Sequence, residues 1–90
     1  MACVVELSPR AWRDLKGLPR SAAQAVLDAL GVLKRPDWPG PPKIKKLKGK
    51  DMFRLRVGAY RAVFERMGAA KIVIHRIVDR KELERTLGSL

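Results

Sequence analysis

Nine cations fall between Lys43 and Met67, at Lys43, Lys45, Lys46, Lys48, Lys50, Arg54, Arg56, Arg61 and Arg66, against Asp51 and Glu65. That net +7 is most of the chain's +11. Arginine is a permanently charged planar fork whose parallel N–H donors match two oxygens of a phosphate. A set of them suits binding a polyanion and stabilising charge that develops on phosphorus. Other chemistries find no support in the residues. The sequence has no Gly-rich phosphate loop, no Cys/His cluster with zinc spacing, no paired histidines and no serine in a nucleophile elbow, so no metal or other cofactor is expected.

The spacing says how these cations are displayed. From Phe53 the residues alternate, with Phe53, Leu55 and Val57 on one side and Arg54 and Arg56 on the other, as in a half-buried strand. A second run, Tyr60 to Arg66, follows Gly58-Ala59. A glycine at the first position of a two-residue turn predicts a type II′ hairpin, pairing Val57 with Tyr60 and Arg56 with Arg61. Phe53, Leu55, Val57, Tyr60, Ala62 and Phe64 then share a core-facing side, and Arg54, Arg56, Arg61, Val63 and Glu65 share the other. Like charges set directly opposite each other cost roughly 0.2–1 kcal/mol, a cost an anion would relieve. A solvated basic face is the plain alternative; the opposed charges and the preponderance of arginine favour an anion site.

A third strand is expected over Ile72 to Val78, apolar on both faces and therefore central or covered. If Arg66 pairs with Lys71, Arg76 comes opposite Arg61, and Arg56, Arg61 and Arg76 form a row across three strands. His75 then points to the other face and reads as a satisfied core histidine, not a general base. Asp79 followed by Glu82 resembles a capping box opening a short terminal helix with Leu83 and Leu87, whose first turn carries Arg80 near the same anion.

Upstream elements must carry this sheet. Ala2 to Leu7 suits a first strand, and Ser8-Pro9 an N-cap and first helical residue. Ala11, Trp12 and Leu15 mark the buried stripe of a helix ending at Lys16-Gly17. A second helix from Leu18-Pro19 buries Ala22, Val26, Ala29, Leu30 and Leu33, making an αα-hairpin. Pro36, Pro39, Pro41 and Pro42 form a stiff connector that forbids regular pairing until about Lys43, and Trp38 within it is expected to cap the edge of the core. The fold class is α+β over a single domain, residues 1–90. A small antiparallel-type sheet, the N-terminal strand plus a C-terminal three-strand meander, packs against the helical hairpin, with a short C-terminal helix.

Ninety residues allow one modest core. The basic excess points to nucleic acid or an acidic protein as partner. A membrane is not expected, because the cations lie on a strand pattern and no apolar run approaches 18 residues. Cys3 stands alone in an apolar run, so a reducing, cytoplasmic setting is expected, with a buried thiol.

The element order, with Leu47-Lys48-Gly49, Phe53 to Glu65, and Arg76-Ile77-Val78-Asp79-Arg80-Lys81, resembles the RelE/ParE toxin superfamily of type II toxin–antitoxin systems over nearly the whole chain. The resemblance implies a ribosome-dependent, metal-independent mRNA endonuclease that inhibits translation. In that reaction a ribose 2′-OH attacks the adjacent phosphate and leaves a 2′,3′-cyclic phosphate and a 5′-OH. It implies Arg56, Arg61 and Arg80 as the catalytic residues, stabilising the transition state. Lys45, Lys46, Lys48, Lys50, Arg54, Arg76 and Lys81 are the candidate RNA- and phosphate-binding residues. It implies an acidic cognate antitoxin in a toxin–antitoxin hetero-oligomer, with ribosome and mRNA as targets. It also admits a ParE-like inhibitor of DNA gyrase, or a catalytically degenerate toxin that binds antitoxin and operator DNA. The chain departs from the pattern where Val78-Asp79 replace a common Gly-His, and where Glu84 is the nearest match to a usual aromatic. Arginine is a poor general base, so those departures bear on the proton route.

Overall fold

The computed structural model of the chain describes residues 4–35, 37–40, 42–47 and 51–89. In order they form β1 (Val4–Leu7), α1 (Pro9–Lys16), α2 (Arg20–Leu30) with a 3-10 turn (Gly31–Lys34), β2 (Ile44–Lys46), β3 (Met52–Val57), β4 (Tyr60–Met67), β5 (Lys71–Asp79), a 3-10 turn (Arg80–Glu82) and α3 (Leu83–Gly88). Lys48 and Lys50 lie outside the described residues, as does Cys3.

The hairpin forms with the register its turn dictates. Gly58 takes φ +58° and, among the described residues, no non-glycine residue has positive φ, so the β3–β4 turn is II′-like and not I′. Val57 pairs with Tyr60 and Arg56 with Arg61. A Cβ added at Gly58 would meet nothing within 4 Å, so Gly58→Ala is a test of backbone strain alone. It should cost about 1–2 kcal/mol, read as a lower denaturant midpoint at unchanged slope; an unchanged midpoint would show that the turn relaxes to another type.

The sheet has five strands in the order β1-β5-β4-β3-β2. It is antiparallel from β2 to β5, while β1 pairs parallel to β5, so the whole is mixed. A parallel neighbour requires a crossover, and α1, α2 and the meander supply it. β5 is therefore central, consistent with apolar residues on both its faces. The proline-rich connector ends in a strand that the sequence pattern did not reveal. β2 sets Ile44 opposite Leu55 and Lys45 opposite Arg54, and its lysines blunt an edge that would otherwise invite pairing.

One core lies between sheet and helices. Ala11, Leu15, Val26, Leu30 and Leu33 meet Ile44, Leu55, Ala62, Phe64, Ile72, Ile74 and Ile77. Trp38 caps its edge as expected, 5.4 Å and nearly perpendicular to both Phe53 and Phe64, with its indole N–H on the Leu33 carbonyl. Ser8 caps α1 by accepting the Ala11 N–H, and Pro9 occupies the first turn. At the other end of the chain, Asp79 caps a 3-10 turn through the Lys81 N–H, and α3 is only six residues long. No helix dipole of consequence reaches the arginines from so short an element. No helix of the described residues is long and apolar enough to cross a membrane.

The β4–β5 register differs from the expected one. Met67, not Arg66, faces Lys71, and a bulge then lies between Val63 and Phe64, so Phe64 faces Ile74 and Val63 faces Arg76, with His75 as the extra residue. Arg61 consequently stands opposite Val78, and the row Arg56–Arg61–Arg76 does not form. His75 is half-buried at the bulge with Nε2 2.9 Å from Glu65 Oε1. It is satisfied, but by a half-buried carboxylate outside the core cluster.

Candidate functional site

Cross-strand partners share a face, so the pairings define the basic surface directly. Lys45, Arg54, Arg56 and Arg61 lie on the face turned away from the core, in the pairs Lys45↔Arg54 and Arg56↔Arg61. Arg80 follows β5, its backbone N–H donating to the Ala59 carbonyl at 2.9 Å, which holds it against the hairpin turn. The four arginines thus gather at the turn end of the sheet. The floor between them is not solvated: Val63 and Val78 are buried on the same face, with α3 against β5. Charges beside such a floor interact more strongly than in bulk water.

Arg61 is held in a defined pose. Its Nη1 donates to the Gly58 carbonyl at 3.0 Å and the Tyr60 carbonyl at 2.8 Å. Both Nη1 hydrogens are spent there, which leaves the edge formed by Nε and Nη2, the fork that fits two phosphate oxygens. Burial first, then the guanidiniums of Arg54, Arg56 and Arg80, hold the Arg61 pKa below its ordinary value, with Asp79 acting in the opposite direction. A cation whose charge is made costly by like neighbours is stabilised by an anion among them.

Counter-ions are placed elsewhere. Asp51 lies near Lys46 at 4.0 Å and Arg66 at 3.8 Å, Glu6 pairs with Lys71, and Asp14 pairs with Arg76 and, at 4.0 Å, Arg10. Among the described residues none of Arg54, Arg56, Arg61 and Arg80 makes an ion pair. Arg54 makes one long 3.5 Å contact to the Pro42 carbonyl.

The expected residues therefore divide. Arg54, Arg56, Arg61 and Arg80 come together, with Lys45 beside Arg54 and Lys81 exposed at the next position along. Lys46 pairs with Phe53 and so faces the other side, near Asp51. Arg76 shares the arginine face by register, but its guanidinium is bound to Asp14 at 2.8 Å and its side chain is only 20% exposed. Asp14 itself gave no signal in the sequence. It sits between Arg13 and Leu15 on an ordinary amphipathic helix, and its hydrogen-bond partners are more than sixty residues away.

Comparison with known proteins places this architecture. The profile of the family described as "ParE toxin of type II toxin-antitoxin system, parDE" matches residues 5–84. A Methanocaldococcus jannaschii protein assigned as a toxin, RelE1, is 34% identical over 80 residues, covering 87% of this chain and 89% of that protein. The RelBE2 toxin–antitoxin complex of Mycobacterium tuberculosis contains a chain that superposes with a TM-score of 0.72 at 28% identity, over 89% of this chain and 100% of that one. The RelE–RelB complex of Pyrococcus horikoshii gives 0.74 at 24% identity, over 89% and 97%, a likeness of fold.

Proposed function

This chain belongs to the ParE toxin family of type II toxin–antitoxin systems, within the RelE/ParE superfamily, and we propose that it acts as a ribosome-dependent mRNA endonuclease. The observation that carries this reading is the cluster of Arg54, Arg56, Arg61 and Arg80, without ion pairs among the described residues, around an Arg61 whose free edge is presented by the hairpin turn. Attack of a ribose 2′-OH on the neighbouring phosphate builds a phosphorane with an extra negative charge. Donors already fixed in place stabilise that charge without reorganising, which is the largest single source of rate in many enzymes. Arg61 binds the two non-bridging oxygens, and Arg56 and Arg80 flank it. Arg54 and Lys45 hold the next phosphate along the strand.

The arginines are cations and cannot accept the 2′-OH proton. A group outside the cluster accepts it, which fits a reaction that runs only when mRNA is held on the ribosome. Primer extension on an mRNA in a purified translation mixture tests the reading. Cleavage is expected with ribosomes and not without them; no cleavage by well-folded protein would sink it. The match to a ParE family keeps open the second reading that the sequence resemblance implied, a ParE-like inhibition of DNA gyrase. In that case supercoiling fails in a purified assay that contains no ribosome.

An acidic antitoxin completes the proposal, as RelB accompanies RelE in the Mycobacterium complex. A ligand that binds the folded toxin alone, at about a thousand times its Kd, adds roughly 4 kcal/mol of stability. Calorimetry should then show the toxin in its complex melting about 15 °C or more above the free toxin. An unchanged melting temperature would rule out tight pairing.

A further inference from the structure

Arg80 shares a face with Arg61 because β5 holds one residue more than β4 between their paired ends. From Met67↔Lys71 to Phe64↔Ile74 the strands pair one to one; beyond the bulge they resume at Val63↔Arg76 and run to Tyr60↔Asp79. Had the first register continued, Arg61 would lie opposite Ile77 and Tyr60 opposite Val78. Alternation would then bring Asp79 onto the arginine face and turn Arg80 toward the helices, while Arg76 stood opposite the fully buried Ala62. One inserted residue decides whether a guanidinium or a carboxylate completes the cluster.

β1 ends at Leu7↔Ile74, so on that side β5 has no strand neighbour through the bulge and beyond it, and here α1 and its cap supply the partners. Asp14 Oδ2 accepts the Ile77 N–H at 2.9 Å and Arg76 Nε–H at 2.8 Å, and Oδ1 takes Arg76 Nη2 at 3.4 Å. Ser8 Oγ donates to the His75 carbonyl at 3.0 Å, and the Ser8 N–H bonds the Ile74 carbonyl at 2.9 Å. The carboxylate is 14% exposed, so little water competes for these bonds. We infer that Asp14 is a positioning residue for the phosphate-binding arginines: by holding the bulge at His75-Arg76 it keeps Arg80 beside Arg61. The inference rests on the reading of that face as a phosphate site. It adds that the site's geometry is set from the opposite end of the sequence, by a helix that contributes none of the four clustered arginines.

A double-mutant cycle tests it, comparing wild type, Asp14→Ala, Asp14→Asn and Arg80→Ala with each Asp14 change combined with Arg80→Ala. In ribosome-dependent cleavage Asp14→Ala should lower kcat about 10- to 100-fold with KM within about twofold, the pattern of misplaced transition-state charge. Asp14→Asn keeps an oxygen for the Ile77 N–H and should recover part of the loss. In the Arg80→Ala background neither Asp14 change should cost anything further. Losses that multiply, or full activity in a folded Asp14→Ala, overturn the inference; where Asp14→Ala does not fold, Asp14→Asn decides through the same cycle.

A second readout needs no cleavage. Titration with inorganic pyrophosphate, followed through the arginine Nε–H signals by NMR, should move Arg61 and Arg80 together in wild type. In the Asp14 variants it should move Arg61 alone. Coupled movement of both in every variant overturns the inference even in a protein that cuts no RNA, and absence of cleavage with the expected NMR pattern overturns only the nuclease reading.

Discussion

Arg61→Ala should lower ribosome-dependent cleavage by about 10²- to 10³-fold, the loss seen when one fixed donor to a developing oxyanion is removed. The fall is expected in kcat more than in KM, because Lys45, Arg54 and Arg56 still attract the RNA while the charge aimed at the phosphorane is gone. Stability should hardly change. Arg61 stands opposite Arg56, so its removal relieves a repulsion of roughly 0.2–1 kcal/mol. Its bonds to the Gly58 and Tyr60 carbonyls, each contributing about 0.5–1.5 kcal/mol, are lost at a turn where water can replace it. The two effects oppose, and the melting temperature should stay within a few degrees. Arg61→Lys separates charge from shape: a lysine restores the positive charge without the Nε–Nη2 fork, and should recover only part of the rate. Growth arrest that persists in folded Arg61→Ala would end the nuclease reading.

What the sequence made legible, and what it did not, follows the range of the forces involved. The β3–β4 register was legible because Gly58-Ala59 sets it locally: one turn type aligns six residue pairs, including the opposed arginines. The N-cap at Ser8 and the glycine end of α1 were legible for the same reason. The β4–β5 register was not. Its loop permits pairing near Arg66 and Lys71, but the bulge is stabilised by Asp14 and Ser8 from the far end of the chain, and no local pattern encodes a contact across sixty residues. The row drawn through Arg76 failed already at the loop, where Met67 and not Arg66 faces Lys71, and the bulge then brought Arg80 into the cluster. β2 escaped notice because three residues of strand, two of them lysine, carry no period. The short terminal helix with Leu83 and Leu87 was legible too, but Asp79 caps a 3-10 turn ahead of it and not the helix itself.

Phe64→Ala should be the most damaging single change to stability, at about 3–5 kcal/mol. Phe64 is fully buried in β4, stacked on Phe53 at 5.4 Å and 15° and met edge-on by Trp38 at 5.4 Å and 83°. Each ring comes from a different element, so the three fasten the connector and two strands to one another. Arg66 lies over Phe53 and Trp38 at 5.7 and 5.8 Å and closes the outer side. Truncating Phe64 therefore opens a cavity that its neighbours cannot fill without leaving their mutual packing. For a domain of this size the melting temperature should fall by about 15–30 °C, a large part of the whole margin of stability. Trp38→Ala, at a half-buried edge position, should cost less, and Val4→Ala, on an exposed position, should stay within about 0.5 kcal/mol. The damage should also reach the functional face. Phe53↔Phe64 is the pair next to Arg54↔Val63, so loosening one shifts the other. Phe64→Ala assayed well below its melting point should then show weaker RNA binding as well as lower stability. Wild-type affinity at that temperature would mean that the arginine face is held by the turn alone.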